Sequence, residues 1–222
     1  MIILLFDTET TGLPFSKQIH EKDVDKWPHI VQLSYILFEV ETQTVLKNVN
    51  HYVSLPQGEL IPSQAIAIHG ITDHYLQLYG IPIENALHEF MQDLDVSDEI
   101  VAHNIEFDVA MIHVALLRLI LKFNQQPYML RSYEKQISKY KQFLQNLLQK
   151  KYFCTMKNSI ELCQLKRINK WGKPYMKYPK LSELYHHLFH VIPQNLHDAS
   201  VDCLACLKCY CKMKHKIDLQ KI

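Results

Sequence analysis

The sequence predicts an α/β fold, a mixed sheet of about five strands with the first three antiparallel and helices flanking it. Three observations carry this reading. Residues 1–6, 30–40 and 44–53 read as strands that follow one another before any helix appears. Between residues 82 and 122, two helical stretches flank a short apolar strand at 100–102, and strands connected through helices build the rest of a mixed sheet. Residues 152–155 offer one more short strand after a long helical stretch. With 222 residues, 48% hydrophobic and 21% charged, the chain can bury one full core, and a single domain over 1–222 is expected.

The opening run, residues 1–6, is almost wholly apolar, as a strand buried on both faces is. Asp7 and Glu9 follow directly, two residues apart, so in extended backbone their carboxylates point into the same space. Residues 15–28 mix charges without a period and read as a loop, and Glu41-Thr42-Gln43 reads as a hairpin turn. Pro62 suits the first position of a short helix that Gly70 can end, and Thr72 can cap the next. Ile83, Ala86, Leu87, Phe90, Met91 and Leu94 recur at spacings of three and four, which predicts an amphipathic helix. After strand 100–102, His103-Asn104-Ile105-Glu106 forms the turn into a helix over 107–122, with Asp108 in its first turn, where the helix dipole stabilises an anion.

Residues 125–151 read as an inserted basic excursion, with Gln125-Gln126-Pro127 as a break and 133–148 helical. The last strand at 152–155 is followed by a helix near 159–165, a basic loop at 166–180, a short helix at 181–189, a loop at 195–198 and a final helix over 199–215.

The net charge of +1 hides an asymmetry. Residues 130–180 hold 13 Lys and Arg against Glu134 and Glu161, a net +11; the rest holds 11 against 21 acids, a net −10. The basic part is interleaved with Tyr133, Tyr140, Phe143, Tyr152, Phe153, Trp171, Tyr175 and Tyr178, which suits a polymer of phosphates and bases; a solvated helix face explains the charge equally well. The start lacks the basic region of a signal peptide, and the longest apolar run, 109–121, is interrupted by His113 and Arg118 and too short to span a bilayer. An intracellular, soluble protein, cytoplasmic or nucleoid/nuclear, with six free thiols is expected. Cys203, Cys206, Cys209 and Cys211 could suggest zinc, but on one helix their sulfurs point in diverging directions, so buried thiols are the expectation.

Three features stand in series: Asp7-x-Glu9 after a strand, His103-Asn104-x-x-Phe107-Asp108 at a helix start, and His197-x-Ala199-x-x-Asp202 entering another helix. Crowded carboxylates at the rim of a core call for a hard cation, although a strand followed by an Asx-type turn accounts for the first feature taken alone. In this order and context the three resemble the DEDDh family of 3′-to-5′ exonucleases, the group that includes the proofreading subunit of bacterial replicative DNA polymerases. The resemblance runs from Ile2 to about Cys211, apart from the basic excursion. His197, five residues before Asp202, puts the chain in the family's histidine branch.

The resemblance implies a ribonuclease H-like fold and a metal-dependent exonuclease that releases nucleoside monophosphates from single-stranded or frayed 3′ ends of DNA. It implies that Asp7, Glu9, Asp108 and Asp202 together hold two Mg²⁺ or Mn²⁺ ions and that His197 is the general base. By the same resemblance, the backbone around Thr8 and Thr10 holds the terminal 3′ hydroxyl, Leu13 wedges against the last base and Asn104 touches the terminal nucleotides. His69 lies beside the site, with a helix-break role as the other reading. Asp198 is expected to be a bystander or a helix cap. The partners implied are nucleic acid, DNA or RNA, no membrane, and a DNA polymerase reached by association, since the chain ends soon after its final helix. An exoribonuclease on the same scaffold and a non-catalytic nucleic-acid-binding polymerase-accessory module are the alternatives.

Overall fold

A computed structural model describes residues 1–16, 18–125, 130–194 and 196–219. Five strands, β1 (Ile2–Thr10), β2 (Ile30–Glu39), β3 (Thr44–Tyr52), β4 (Glu99–Ala102) and β5 (Lys151–Cys154), form one sheet in the order β3-β2-β1-β4-β5. The first three pair antiparallel, as expected, whereas β1–β4 and β4–β5 pair parallel. Helices cover both faces: α1 (Ser63–His69), α2 (Asp73–Tyr79), α3 (Ile83–Val96), α4 (Ile105–Asn124) and α5 (Leu130–Gln149), then α6 (Thr155–Asn158), α7 (Ile160–Cys163), α8 (Leu181–Phe189) and α9 (Ala199–Tyr210). Among the described residues no helix is long and apolar enough to cross a membrane.

The period of two along β1 sorts its side chains between two cores. Leu4 and Phe6 pack with residues of α3, α4 and α5, while Ile3 and Leu5 pack with residues of α8 and α9. All four are fully buried, each contributing roughly 1.5–3 kcal/mol. By the same alternation Asp7 and Glu9 lie on the α9 side of the strand and Thr8 on the α4 side. β1 also runs beyond its apolar stretch, because pairing with β2 continues from Asp7↔Ser34 to Thr10↔Ile30. The two acids therefore sit inside the strand, near its C-terminal end, and not after it.

Several expected boundaries shift. Residues 15–28 include a 3-10 helix, Glu21–Lys26, held by Arg118, whose guanidinium donates to the carbonyls of Val24 (2.6 Å), Trp27 (2.5 Å) and Pro28 (3.0 Å). Pro62 is the residue before α1, Gly70 closes that helix at φ 74°, and the Thr72 hydroxyl caps α2 by accepting from Tyr75 N. α4 starts two residues before expectation, the helix expected near 159–165 shortens to α7 at Ile160–Cys163, and a further four-residue helix, α6, begins at Thr155, where the last strand was expected to end. Gln126, Pro127 and Asn195, assigned above to a break and a loop, lie outside the described residues. The final helix ends at Tyr210 and gives way to a π-helical turn, Cys211–His215.

Two corrections bear on function. The basic stretch 166–180 is not all loop: β6 (Lys166–Ile168) and β7 (Pro174–Met176) pair antiparallel as a separate hairpin. The rings counted as base-stacking surface are also of two kinds. Tyr140 and Phe143, with Ile137 and Leu147, form the buried stripe of α5, Tyr133 meets Phe123 at a tilt of 36°, and Phe153 meets Tyr210 edge-on at 5.1 Å. Trp171, Tyr175 and Tyr178, in and beside the hairpin, are exposed.

All six cysteines are free thiols. Cys203 donates to Ser34 O at 3.3 Å, Cys206 lies 3.4 Å from the Thr155 hydroxyl, and burial pushes both thiols well above their usual range.

Candidate active site

β1 is flanked by an antiparallel and a parallel neighbour, and a crevice opens past its C-terminal end, where open α/β sheets commonly hold ligands. The cleft there has a volume of about 650 Å³. Its walls include Asp7, Thr8 and Glu9 from β1, Asn104, Phe107 and Asp108 from the start of α4, and His197 and Asp202 from the entry to α9. Leu13, His103, Met156, Leu196 and the segment Tyr178-Pro179-Lys180-Leu181-Ser182 complete it.

Each acid is placed by its element. Asp108 occupies the first turn of α4 and is 2% exposed. Its Oδ1 accepts from both the amide (3.0 Å) and the hydroxyl (2.8 Å) of Thr8, a direct consequence of Thr8 facing α4. Asp202 lies in the first turn of α9, whose N-cap is Asp198; the Asp198 carboxylate accepts from Ser200 N at 2.9 Å, as a capping residue should. His197, in the left-handed region at φ 75°, donates its amide to Asp202 Oδ2 at 3.2 Å, which folds the imidazole's own backbone over the acid. Gln32 of β2 fixes this helix end to the sheet: it accepts from Ala199 N and donates to Asp198 Oδ1, both at 3.2 Å. The sequence reading missed Gln32, since a lone amide in an apolar strand carries no spacing signal.

The electrostatics are those of a cluster short of positive charge. Burial, together with Asp108, Asp202 and Glu9, pushes the Asp7 carboxyl well above the usual carboxylate range. Burial and the charges of Asp202 and Asp108 push Glu9 up to about 8. Burial raises Asp108 to about 7 although the Thr8 hydrogen bonds oppose it, and raises Asp202 to about 6. Among the described residues none of the four has a salt-bridge partner. One ligand atom from each of Glu9, His197 and Asp202 can lie within 4.8 Å of the others, and the buried Asp202 Oδ1 accepts no hydrogen bond. The charge of Asp108 acts on Glu9 in this tight group, and the charges of Asp202 and Glu9 act in turn on Asp7. Unpaired carboxylate oxygens at mutual ligand distance fit a hard divalent cation such as Mg²⁺ or Mn²⁺.

Of the residues singled out in the sequence, Asp7, Thr8, Glu9, Leu13, Asn104, Asp108, His197 and Asp202 line the cleft, and Thr10 and His69 do not. The Thr10 hydroxyl donates to Gly12 O at 2.7 Å, and His69 Nδ1 accepts from Ile71 N at 3.0 Å across the Gly70 break. That hydrogen bond fits the helix-break reading of His69. Its buried Nε2 faces the Thr10 backbone without completing a hydrogen bond, and burial lowers its pKa. The Thr8 amide, expected near a terminal 3′ hydroxyl, is instead committed to Asp108. Leu13 is 85% exposed on the lip of the cleft. Phe107 and Tyr178-Pro179-Lys180 were not singled out as site residues; no spacing rule connects the latter to the carboxylates, because the hairpin intervenes.

An exonuclease family model, RNase_T, matches residues 4–210. Among solved structures, E. coli Exonuclease I in complex with a dT13 oligonucleotide aligns with a TM-score of 0.61 at 17% identity, covering 97% of this chain and 42% of that one. The moderately thermophilic Exonuclease I from Methylocaldum szegediense aligns with a TM-score of 0.60, also at 17% identity, covering 97% and 41%. At such identity the likeness concerns the fold, and the chain spans about two fifths of the length of those proteins. No curated protein matches in sequence.

Proposed function

The chain belongs to the exonuclease family whose model spans it from residue 4 to residue 210, and from that premise we propose that it is a metal-dependent 3′-to-5′ exonuclease acting on single-stranded or frayed DNA. The observation that carries this is the convergence of Asp7, Glu9, Asp108, Asp202 and His197, from three separate elements, on one cleft. DNA is favoured over RNA because E. coli Exonuclease I, which shares the fold, was captured on dT13 and on dA16, oligonucleotides that cannot pair with themselves.

Asp7, Glu9, Asp108 and Asp202 would hold two divalent cations, Mg²⁺ or Mn²⁺. When bound, such ions supply positive charge to the scissile phosphate and acidify the attacking water. The chain's own residues do the rest. Thr8 commits one oxygen of Asp108 and so leaves the other for a cation. The His197 imidazole, exposed on its loop and within reach of Glu9 and Asp202, takes the proton from the water as its oxygen attacks phosphorus. The phosphorus–O3′ bond to the preceding nucleotide then breaks, that 3′ oxygen gains a proton, and a nucleoside 5′-monophosphate leaves. Leu13 and Phe107 offer apolar surface for the terminal base, and Asn104 offers amide hydrogen bonds. A terminal nucleotide must leave its partner to enter such a cleft, which favours unpaired ends.

The test is a time course on 3′-labelled and 5′-labelled dT15, with an RNA 15-mer in parallel, in Mg²⁺ and in EDTA. Immediate release of labelled mononucleotide from the 3′-labelled strand, a descending ladder from the 5′-labelled one and silence in EDTA are expected. Cleavage of RNA alone would move the assignment to an exoribonuclease. Binding without cleavage would move it to an accessory module.

A further inference from the structure

We infer that the hairpin β6–β7 is a guide for the single strand: it holds the nucleotides on the 5′ side of the scissile one and leads them into the cleft. The inference rests on the nuclease reading for the identity of the strand, but its observations are separate. The six strand residues of the hairpin are all exposed, so the ribbon buries no core of its own and packing does not explain it. Its turn is nonetheless closed. Asn169 Oδ1 accepts from the amides of Trp171 and Lys173, both at 3.0 Å, Gly172 adopts φ 77°, and Asn169 N donates to Lys173 O at 2.9 Å.

What this turn presents is Trp171, 73% exposed, with Lys170 Nζ 4.6 Å from its ring centroid. On one face of the ribbon Arg167 stands opposite Tyr175, again a cation beside a ring. Residues 166–180 carry six cations and no acid, and among the described residues only Lys177 has a carboxylate partner, Glu183. Rings with cations between them suit a single strand, whose bases stack while its phosphates are neutralised.

Continuity with the cleft supplies the direction. Past β7 the chain passes through Tyr178, Pro179 and Lys180, which line the cleft. The root is fixed there, since His103 Nε2 donates to Pro179 O at 3.1 Å and Lys177 N donates to Leu165 O at 2.9 Å. α5 is also basic in composition, but it turns its Tyr140 and Phe143 inward, and among the described residues none from α5 lines the cleft.

The test separates this inference from the nuclease reading. Affinity for fluorescein-labelled dT15 is measured by anisotropy in EDTA, where cleavage is held off, for the wild type, Trp171→Ala and Lys170→Ala/Lys173→Ala. Cleavage of dT15 and of a chromogenic nitrophenyl ester of thymidine 5′-monophosphate is then measured in Mg²⁺. Trp171→Ala is expected to weaken dT15 binding about 10-fold, as loss of one stacked base does. The lysine pair should lower the slope of log affinity against log salt by about 1.4, roughly 0.7 for each phosphate contact on a single strand. Turnover of the small ester, which cannot reach the hairpin, should stay unchanged. Unaltered dT15 affinity in both variants, or equal losses on dT15 and the ester, would overturn the guide. Hairpin-dependent binding without cleavage by the wild type would instead overturn the nuclease reading and leave the guide standing.

Discussion

At the N-terminal end of β4, Glu99 is buried beside two lysines; at the C-terminal end of its neighbour β1, Asp7 and Glu9 are enclosed beside two further acids. Glu99 is 1% exposed, with Lys214 Nζ at 2.7 and 2.5 Å from its two oxygens, the Tyr210 hydroxyl donating at 2.7 Å and Lys151 at 3.6 Å. Burial by itself would raise its pKa, but the Lys214 and Tyr210 contacts outweigh that and hold the carboxyl below its ordinary value. In the cleft the shifts are all upward, because burial and like charge act together with no salt-bridge cation among the described residues to oppose them. One fold thus treats buried acids in two ways. Where the chain supplies the counter-charge the carboxylate is architecture, and where it withholds it the cluster fits a charge that comes from outside.

The largest effect that could break this contrast is on cleavage. Asp202→Asn should lower kcat by about 10³-fold or more, the several kcal/mol of charge stabilisation that a bound cation gives a phosphoryl reaction. In EDTA the same variant should melt above the wild type, since it relieves repulsion. Glu99→Gln should do the reverse, keeping near-normal cleavage and melting lower. Parallel losses of activity and stability in both variants would mean that the two ends of the sheet do not differ in kind.

The contrast also marks how far the sequence could be read. The strands of the antiparallel start, α3, α4 and α8 follow from period and capping, and the spacing of His197 to Asp202 pointed to the α9 entry before any coordinates. The acids on β1 were read as following the strand, because apolarity was taken to mark its end when pairing with β2 in fact does. Residues 166–176 carried no alternation to detect, as every strand position is exposed. The rings of α5 were miscounted as surface although Ile137, Tyr140, Phe143 and Leu147 recur at helical spacing; composition was given weight that belonged to phase. Glu99 itself was invisible, since its partner Lys214 lies 115 residues away.

At the structural end, Glu99→Gln should cost about 2–3 kcal/mol in urea unfolding, less than the roughly 3–5 kcal/mol for breaking a wholly enclosed pair, because the Lys214 ammonium keeps some contact with water. At the cleft end, Mg²⁺ should stabilise the wild type by about 2.7 kcal/mol when free ion reaches a hundred times its dissociation constant, and should do far less for Asp202→Asn. The pH dependence follows from the upward shifts. Asp202 at about 6, Asp108 at about 7 and Glu9 at about 8 bind protons in the folded protein that the unfolded chain, titrating near 4, has already released. In EDTA the stability from these groups is therefore fully present below about pH 4 and is lost as pH rises through 6 to 8. Mg²⁺ should flatten that decline; a metal-free urea midpoint that rose over the same range would contradict the charge arrangement.

The smallest effect concerns Thr8, the point where a cleft carboxylate does receive donors from the chain. Thr8 is 5% exposed, and its hydroxyl and amide both serve Asp108 Oδ1. Thr8→Val keeps the shape and the amide bond but removes the hydroxyl, so the carboxylate can rotate about its remaining contact. If Thr8 acts through Asp108, the Mg²⁺ concentration for half-maximal cleavage should rise about 10-fold, the lower end of the range for groups that orient metal ligands, with kcat at saturating Mg²⁺ little changed. The Mg²⁺ needed to raise the melting temperature should shift by the same factor, a readout that involves no substrate. A fall in kcat that saturating Mg²⁺ does not restore would instead put Thr8 against the terminal nucleotide, where the sequence first suggested it.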